Sequence, residues 1–364
     1  MYPRLEINIT KLKHNVCRLK SILNEENLKM AIVTKAYCAI PEVVEEISNE
    51  YVDYIADSRI KNLKKLQSLK LPKILLRIPM ISESKEVVKY SDISFNSEIE
   101  TIYRLNEEAK NINKVHNIVL MVDLGDLREG YFNEEELCNV VDNVLNLKNI
   151  KLIGIGTNLT CYGAILPSQE NLGGLVKIAK NIEDKHNIKL EFISGGNSSS
   201  IYLLQEGKLP KGITNLRLGE AILLGKETAY GNFIEETYHD SFKLYCEIIE
   251  IKDKPSMPIG EIGKDAFGKV PHYEDKGIMK RAIVGIGKQD IDIESIFPTD
   301  ENIQIIGASS DHMILDITNS ESIYNIGDIL GFVVTSYGGI LTACTSNYVE
   351  KKVVYNLSTQ IQLV

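Results

Sequence analysis

Apolar positions in the first two-thirds of the chain alternate between two textures. Short, near-continuous apolar runs occur at Met30–Thr34, Tyr51–Ala56, Lys73–Ile78, Asp92–Phe95, Asn117–Val122, Lys151–Gly156, Leu190–Ser194 and Asn215–Leu218. Parallel strands covered on both faces require runs of this kind, whereas half-exposed strands alternate. Between the runs, apolar residues recur three and four apart, the helical spacing. Examples are Leu137, Val140, Val141 and Val144 within Asn133–Leu147, and Leu172, Leu175 and Val176 within Asn171–His186. An opening helix from Thr10 to about Leu23 carries Leu12, Val16, Leu19 and Ile22 on one side, with Thr10 read as its N-cap. Eight strands separated by helices predict an α/β chain with an N-terminal (β/α)8 TIM-type barrel; an open doubly wound sheet is the alternative.

After about Lys226 the pattern changes. Runs at Phe242–Ile251, Arg281–Ile286, Ile303–Ile306, Met313–Ile317 and Ile329–Thr335 follow one another without regular helices, joined by Gly, Asp, Asn and Ser. This predicts a C-terminal mainly-β domain. The expected division is residues 10–226 as the barrel, with 1–9 and 227–364 as the β-rich domain.

Composition narrows the class. The 364 residues are 25% charged and 44% hydrophobic, an ordinary globular balance, and the net charge of −9 with no basic stripe argues against a nucleic-acid partner. No run approaches the length of a membrane-spanning helix, and the first residues lack the apolar core of a signal peptide. The six cysteines are scattered, without zinc-type spacing, so no metal is expected. Together these predict a soluble cytoplasmic protein.

In a barrel, chemistry collects where strands end at their C-terminal side. Lys35 closes the first run, where desolvation would favour the free amine that forms Schiff bases; the alternative is a lysine reaching solvent. Arg128 sits in the glycine-flanked loop Asp123–Gly130, able to meet a carboxylate. The sixth run ends in Gly156-Thr157-Asn158. The seventh ends in Ser194-Gly-Gly-Asn197-Ser198-Ser199-Ser200 before a helical pattern, either a capped turn or a place for phosphate. Arg217 interrupts the apolar eighth run and must pair with a barrel carboxylate or face a ligand. A strand-end lysine, a phosphate loop and a buried arginine together point to pyridoxal 5'-phosphate.

With these residues the chain resembles the alanine-racemase-like enzymes, the fold-type III group of pyridoxal-phosphate proteins. The resemblance rests on Lys35, the Asp-x-Gly-x-x-Arg-x-Gly loop, Ser-x-Gly-Asn-Ser and Arg217-Leu-Gly219. It implies a homodimer whose active sites use both subunits. Lys35 would be the Schiff-base lysine, Asn197 and Ser198 phosphate ligands, and Gly219 a backbone donor. Arg217 would face the pyridine nitrogen, and Arg128 would support the lysine or the substrate carboxylate. Tyr337 resembles the phosphate-binding tyrosine of the C-terminal domain, and Tyr37, Asn158 and Ser194 complete the cofactor set.

Departures accompany the match. The segment Lys35-Ala-Tyr37-Cys-Ala lacks the family's Ala-Tyr-Gly ending, and Asn158 stands in place of a histidine. The stretch that holds the second catalytic base, a tyrosine, is here Gly287-Lys288-Gln289-Asp290. This string, Gly263–Gly268 and Ser309-Ser-Asp311-His312 are most similar to the ornithine racemase branch. Racemisation needs acids and bases on both faces of Cα, so Lys35 is expected on one face and Lys288 or Asp290 on the other, with His312 as third choice. A distal substrate ammonium needs an anionic partner; Asp311 is expected to supply it, with His312 beside it and Asp290 and Glu220 behind. Racemisation of alanine or of a wider range of amino acids, decarboxylation, a D-threonine-type aldol reaction and non-catalytic cofactor carriage remain the alternatives.

Overall fold

In the computed structural model, which describes residues 1–48, 50–264, 267–268 and 270–356, eight strands close a parallel barrel, preceded in the chain by strand β1 (Arg4–Asn8). They are β2 (Lys29–Val33), β3 (Tyr54–Asp57), β4 (Lys73–Leu75), β5 (Ile93–Asn96), β6 (His116–Met121), β7 (Ile150–Gly156), β8 (Phe192–Ser194) and β9 (Asn215–Leu218). Each pairs with its neighbours in sequence, and β9 returns to β2 through Lys29↔Asn215 to Ile32↔Leu218. Each predicted run thus supplies one barrel strand, and the open sheet is excluded. Ala31, Val33, Ala56, Ile74, Ile93, Phe95, Val119, Met121, Ile153 and Phe192 form one buried cluster.

Helices wrap the barrel where the three-and-four spacing places them. Asn133 caps the helix Glu134–Val144 by accepting from the Glu135 and Glu136 N–H groups, and Ser168 forms a capping box with Asn171 at the head of Gln169–His186. The first helix differs from expectation: it spans Ile9–Asn24, so Thr10 lies inside its first turn and not at its N-cap. The cause is β1, whose pairing carries the chain as far as Asn8 and delivers it directly into the helix.

The barrel unit runs from Lys11 to Tyr238, and the other unit joins Met1–Thr10 to the chain from His239 onward. The stretch beyond Lys226 stays with the barrel because Asn15 clasps its end. The Asn15 amide donates to the Ile222 and Tyr238 carbonyls (2.9 and 2.8 Å) and accepts from the Tyr238 N–H (2.7 Å).

In the second unit β10 (Phe242–Pro255), β11 (Ile278–Val284), β12 (Ile296–Pro298), β13 (Gln304–Ala308), β14 (Met313–Asp316), β15 (Ile329–Val334) and β16 (Glu350–Val354) build a mainly antiparallel sheet. The order is β12-β15-β10-β11-β14-β13, and β1 lies between β10 and β16, parallel to the latter. A helix, Tyr337–Thr345, interrupts the strands. Among the described residues no helix is long and apolar enough to cross a membrane.

Candidate active site

Lys35 stands where β2 ends. Four residues of that strand are buried, so the chain enters the C-terminal mouth of the barrel with little freedom. It then turns sharply: Cys38 and Ala39 both take the left-handed backbone conformation (φ +53° and +48°), unusual for residues with side chains. The turn is tied by the Cys38 N–H to the Lys35 carbonyl (3.2 Å), the Ala39 N–H to the Thr34 carbonyl (3.0 Å) and Lys65 Nζ to the Cys38 carbonyl (2.8 Å). Within it Tyr37 is buried. Burial lowers the Lys35 pKa; Arg128 and Arg217 push the same way, while Cys161 and Asp57 oppose them.

Arg217 comes from the middle of β9 and is 4% exposed. Its guanidinium lies 5.1 Å from the ring centre of Phe95, a member of the barrel cluster. It donates to the Ser194 hydroxyl, to the Thr157 carbonyl at 2.7 Å and to Asn158 Oδ1 at 3.3 Å. Among the described residues these acceptors are all neutral, and none is a carboxylate. Burial pushes its pKa down to about 10, which leaves it charged at neutral pH.

Asn158 joins the strand ends. Its Oδ1 accepts from both Arg217 and the Asn197 amide (3.0 Å), and Asn197 also donates to the Leu159 carbonyl (3.0 Å) and accepts from the Ser199 N–H (2.8 Å). The Asn197 side chain therefore fastens the β8 loop to the β7 loop. Ser194 supports Arg217 in turn by donating to Asn215 Oδ1 (2.8 Å). The Ser198 hydroxyl accepts from the Gly219 and Ala221 N–H groups (3.3 and 3.2 Å), so backbone donors from the start of the Glu220–Leu224 helix converge on one point.

Two further groups mark this mouth as built for a polar guest. Among the described residues, the Thr157 and Ser199 hydroxyls are buried and have no hydrogen-bond partner. Unsatisfied hydroxyls, converging N–H groups and a guanidinium with neutral acceptors fit a phosphorylated pyridine, and Lys35 supplies the amine. Among the described residues no group of three or more His, Cys, Asp or Glu is gathered as a metal would need.

Arg128 is carried by a loop that the sequence only hinted was so ordered. Gly130 has φ +123°, and a Cβ there would lie 2.7 Å from the Asp123 nitrogen. Asp126, unremarked in the sequence reading, is fully buried and accepts from the Tyr162 and Ile165 N–H groups (3.0 and 3.2 Å), locking the loop after β6 to the loop after β7. Arg128 itself is half-exposed and paired with Glu129.

Glu220 lies in the barrel unit at the start of the Glu220–Leu224 helix; the other candidates belong to the second unit, where two separate strings meet. The Lys288 N–H donates to the Ser309 carbonyl (2.9 Å) and the Gln289 N–H to the Ser310 carbonyl (3.1 Å). Gly287 makes this approach possible, since a Cβ would sit 2.4 Å from Ser310 and Asp311 backbone atoms. Lys288 is half-buried, lines a cavity of about 670 Å³ with Arg281 and Ser309, and its amine lies 4.4 Å from the Phe267 ring centre. Asp265 and Ala266 of the Gly263–Gly268 string lie outside the described residues. Asp290 turns inward: it is 5% exposed and accepts from the Ser346 hydroxyl at 2.6 Å. Asp311 is exposed, with the Ser309 and Ser310 hydroxyls (3.0 and 3.1 Å) and His312 Nδ1 (3.1 Å) all on its Oδ1. Their hydrogen bonds, His312 foremost, hold its carboxyl below the usual range. Tyr337 is half-buried at the head of its helix.

Comparison with known proteins gives the chain's family and fold relatives. The alanine racemase N-terminal domain family matches residues 7–226. The chain is 53% identical over 352 residues to ornithine racemase of Acetoanaerobium sticklandii, covering 97% of this chain and 99% of that protein. It is 35% identical to lysine racemase of Thermotoga maritima, over 96% and 98% of the two chains. Among solved structures, alanine racemase of Bartonella henselae with covalently bound pyridoxal phosphate superposes with a TM-score of 0.72 at 15% identity, covering 96% of this chain and 99% of that one.

Proposed function

The chain belongs to the alanine racemase family, and from that premise we propose that it is a pyridoxal-phosphate-dependent racemase interconverting L- and D-ornithine, with other basic amino acids as further substrates. Near-complete coverage at 53% identity to an ornithine racemase supports the substrate, and the lysine racemase supports the breadth. The observation that carries the cofactor is Arg217, a buried cation with neutral hydrogen-bond acceptors in the same barrel mouth as Lys35.

When bound through Lys35, pyridoxal phosphate would acidify the substrate Cα–H and take up the electron pair left behind. The protein's own groups do the rest. Arg217 would hold the pyridine nitrogen unprotonated, because a guanidinium donates and does not accept. Ser198, the Gly219 N–H and the two unsatisfied hydroxyls of Thr157 and Ser199 would receive the phosphate side. Lys35, its pKa lowered by burial, would move the proton at Cα on one face.

For the opposite face, Lys288 is the stronger candidate, since Asp290 is enclosed and already bonded to Ser346. Asp311 would receive the distal ammonium: one of its oxygens gathers three donors, and a substrate cation can reach an exposed carboxylate. A homodimer in the cytoplasm completes the proposal. Exposed Leu127, Phe132 and Tyr162 on the loops after β6 and β7 support a second copy as their cover, and six cysteines that form no disulfide suit a reducing compartment.

The direct test of the cofactor reading is trapping. Borohydride reduction of the chain loaded with pyridoxal phosphate is expected to leave one modified peptide, containing Lys35, absent in Lys35→Ala. Modification of a different lysine would overturn it.

A further inference from the structure

Asp57 ends β3, the strand beside the one that leads to Lys35, and it is fully buried. Three groups donate to its oxygens: the Thr34 hydroxyl at 2.6 Å, the Arg59 N–H at 2.8 Å and the Asn62 amide at 3.1 and 3.2 Å. An ionised carboxylate accepts all of them, whereas a protonated one would bring a further donor of its own. Burial raises its carboxyl above the ordinary value, and these bonds together with the charge of Lys35 offset only part of that rise. Thr34 immediately precedes Lys35; its N–H donates to the Ala56 carbonyl (2.9 Å) and its carbonyl accepts from Ala39 (3.0 Å).

We propose that Asp57 is a positioning residue for Lys35: its carboxylate anchors Thr34, and with it the lysine turn, and its buried negative charge stands on the strand next to the one that leads to the lysine. The groups that face Lys35 come from four places: Asp57 on β3, Arg217 on β9, Arg128 after β6 and Cys161 after β7. Burial and the two guanidinium groups weaken the base, and a weak base transfers protons poorly at neutral pH. Asp57 opposes them from a fixed position. This inference rests on the reading of Lys35 as the amine that works at Cα.

Competitive acetylation of the full-length chain before cofactor is added, followed lysine by lysine by peptide mass spectrometry, gives the pH midpoint of Lys35. In Asp57→Asn the midpoint is expected to fall by about one pH unit while that of Lys73 stays in place. A Lys35 midpoint that does not move in the folded variant overturns the proposal. Should Asp57→Asn not fold, the reciprocal measurement decides: in carbon-13 aspartate-labelled protein, Lys35→Ala must raise the Asp57 titration midpoint, and an unchanged midpoint overturns it. Borohydride trapping separates the two ideas. Capture on another lysine removes the role of Lys35, whereas capture on Lys35 with an unmoved midpoint removes the role of Asp57 alone.

Discussion

Carboxylates do different work here according to what meets their oxygens. Asp126 is enclosed by backbone donors from the loop after β7, and those bonds outweigh the upward push of burial, so its carboxyl lies below the ordinary value. A depressed carboxyl contributes stability that is present above the unfolded value of about 4 and lost as pH falls through the lower folded value. Asp126→Asn should therefore lose about 1–3 kcal/mol at neutral pH and show a shallower acid limb, measured by urea denaturation across pH. Asp311 is the contrasting case, exposed and held by side-chain donors. Asp311→Asn should lower ornithine turnover by about tenfold or more while pyridoxal phosphate still loads. Equal loss of turnover and loading would remove its part in selecting substrate. The chemistry-bearing residues at barrel strand ends were legible because position in a barrel gives them meaning. Asp57 and Asp126 were not: a carboxylate in a loop or at a strand end looks the same whether it faces water or four donors, and among those donors are backbone groups and side chains distant in sequence.

The eight barrel strands could be read from the chain because burial on both faces leaves continuous apolar runs, a local signal. Strands β1, β12 and β16 left no such trace. Glu350-Lys-Lys-Val-Val is largely polar, β12 has three residues, and β1 is defined by partners more than two hundred residues away. The helix Tyr337–Thr345 opens with two glycines after its first tyrosine, which weakens any helical pattern. Loop pairing was hidden for the same reason. Lys288 and Asp311 belong to strings more than twenty residues apart, and the absence of a side chain at Gly287 lets their backbones meet. Gly287→Ala should push the loops apart, lowering racemisation by about tenfold or more while Lys35 still captures pyridoxal phosphate. Unchanged racemisation would mean that the pairing has no part in catalysis.

For the whole molecule, the proposed reading has the barrel supply one acid/base and the cofactor cradle, while the second unit carries Lys288, Asp311 and Tyr337. Under the proposed homodimer, these two sets of residues would come from two copies. Light scattering should give a particle of twice 40.9 kDa, and Phe132→Asp should weaken it by placing a charge among the exposed apolar residues of the mouth. A monomer that racemises at full rate would remove the shared site. The central claim is proton exchange at Cα with loss of configuration, and it is met most directly by incubating the pyridoxal-phosphate-loaded protein with L-ornithine in D2O, following enantiomer ratio and α-deuterium together. The account predicts D-ornithine carrying deuterium at Cα, formed faster than D-alanine from L-alanine. L-ornithine recovered without deuterium and without its enantiomer would contradict it.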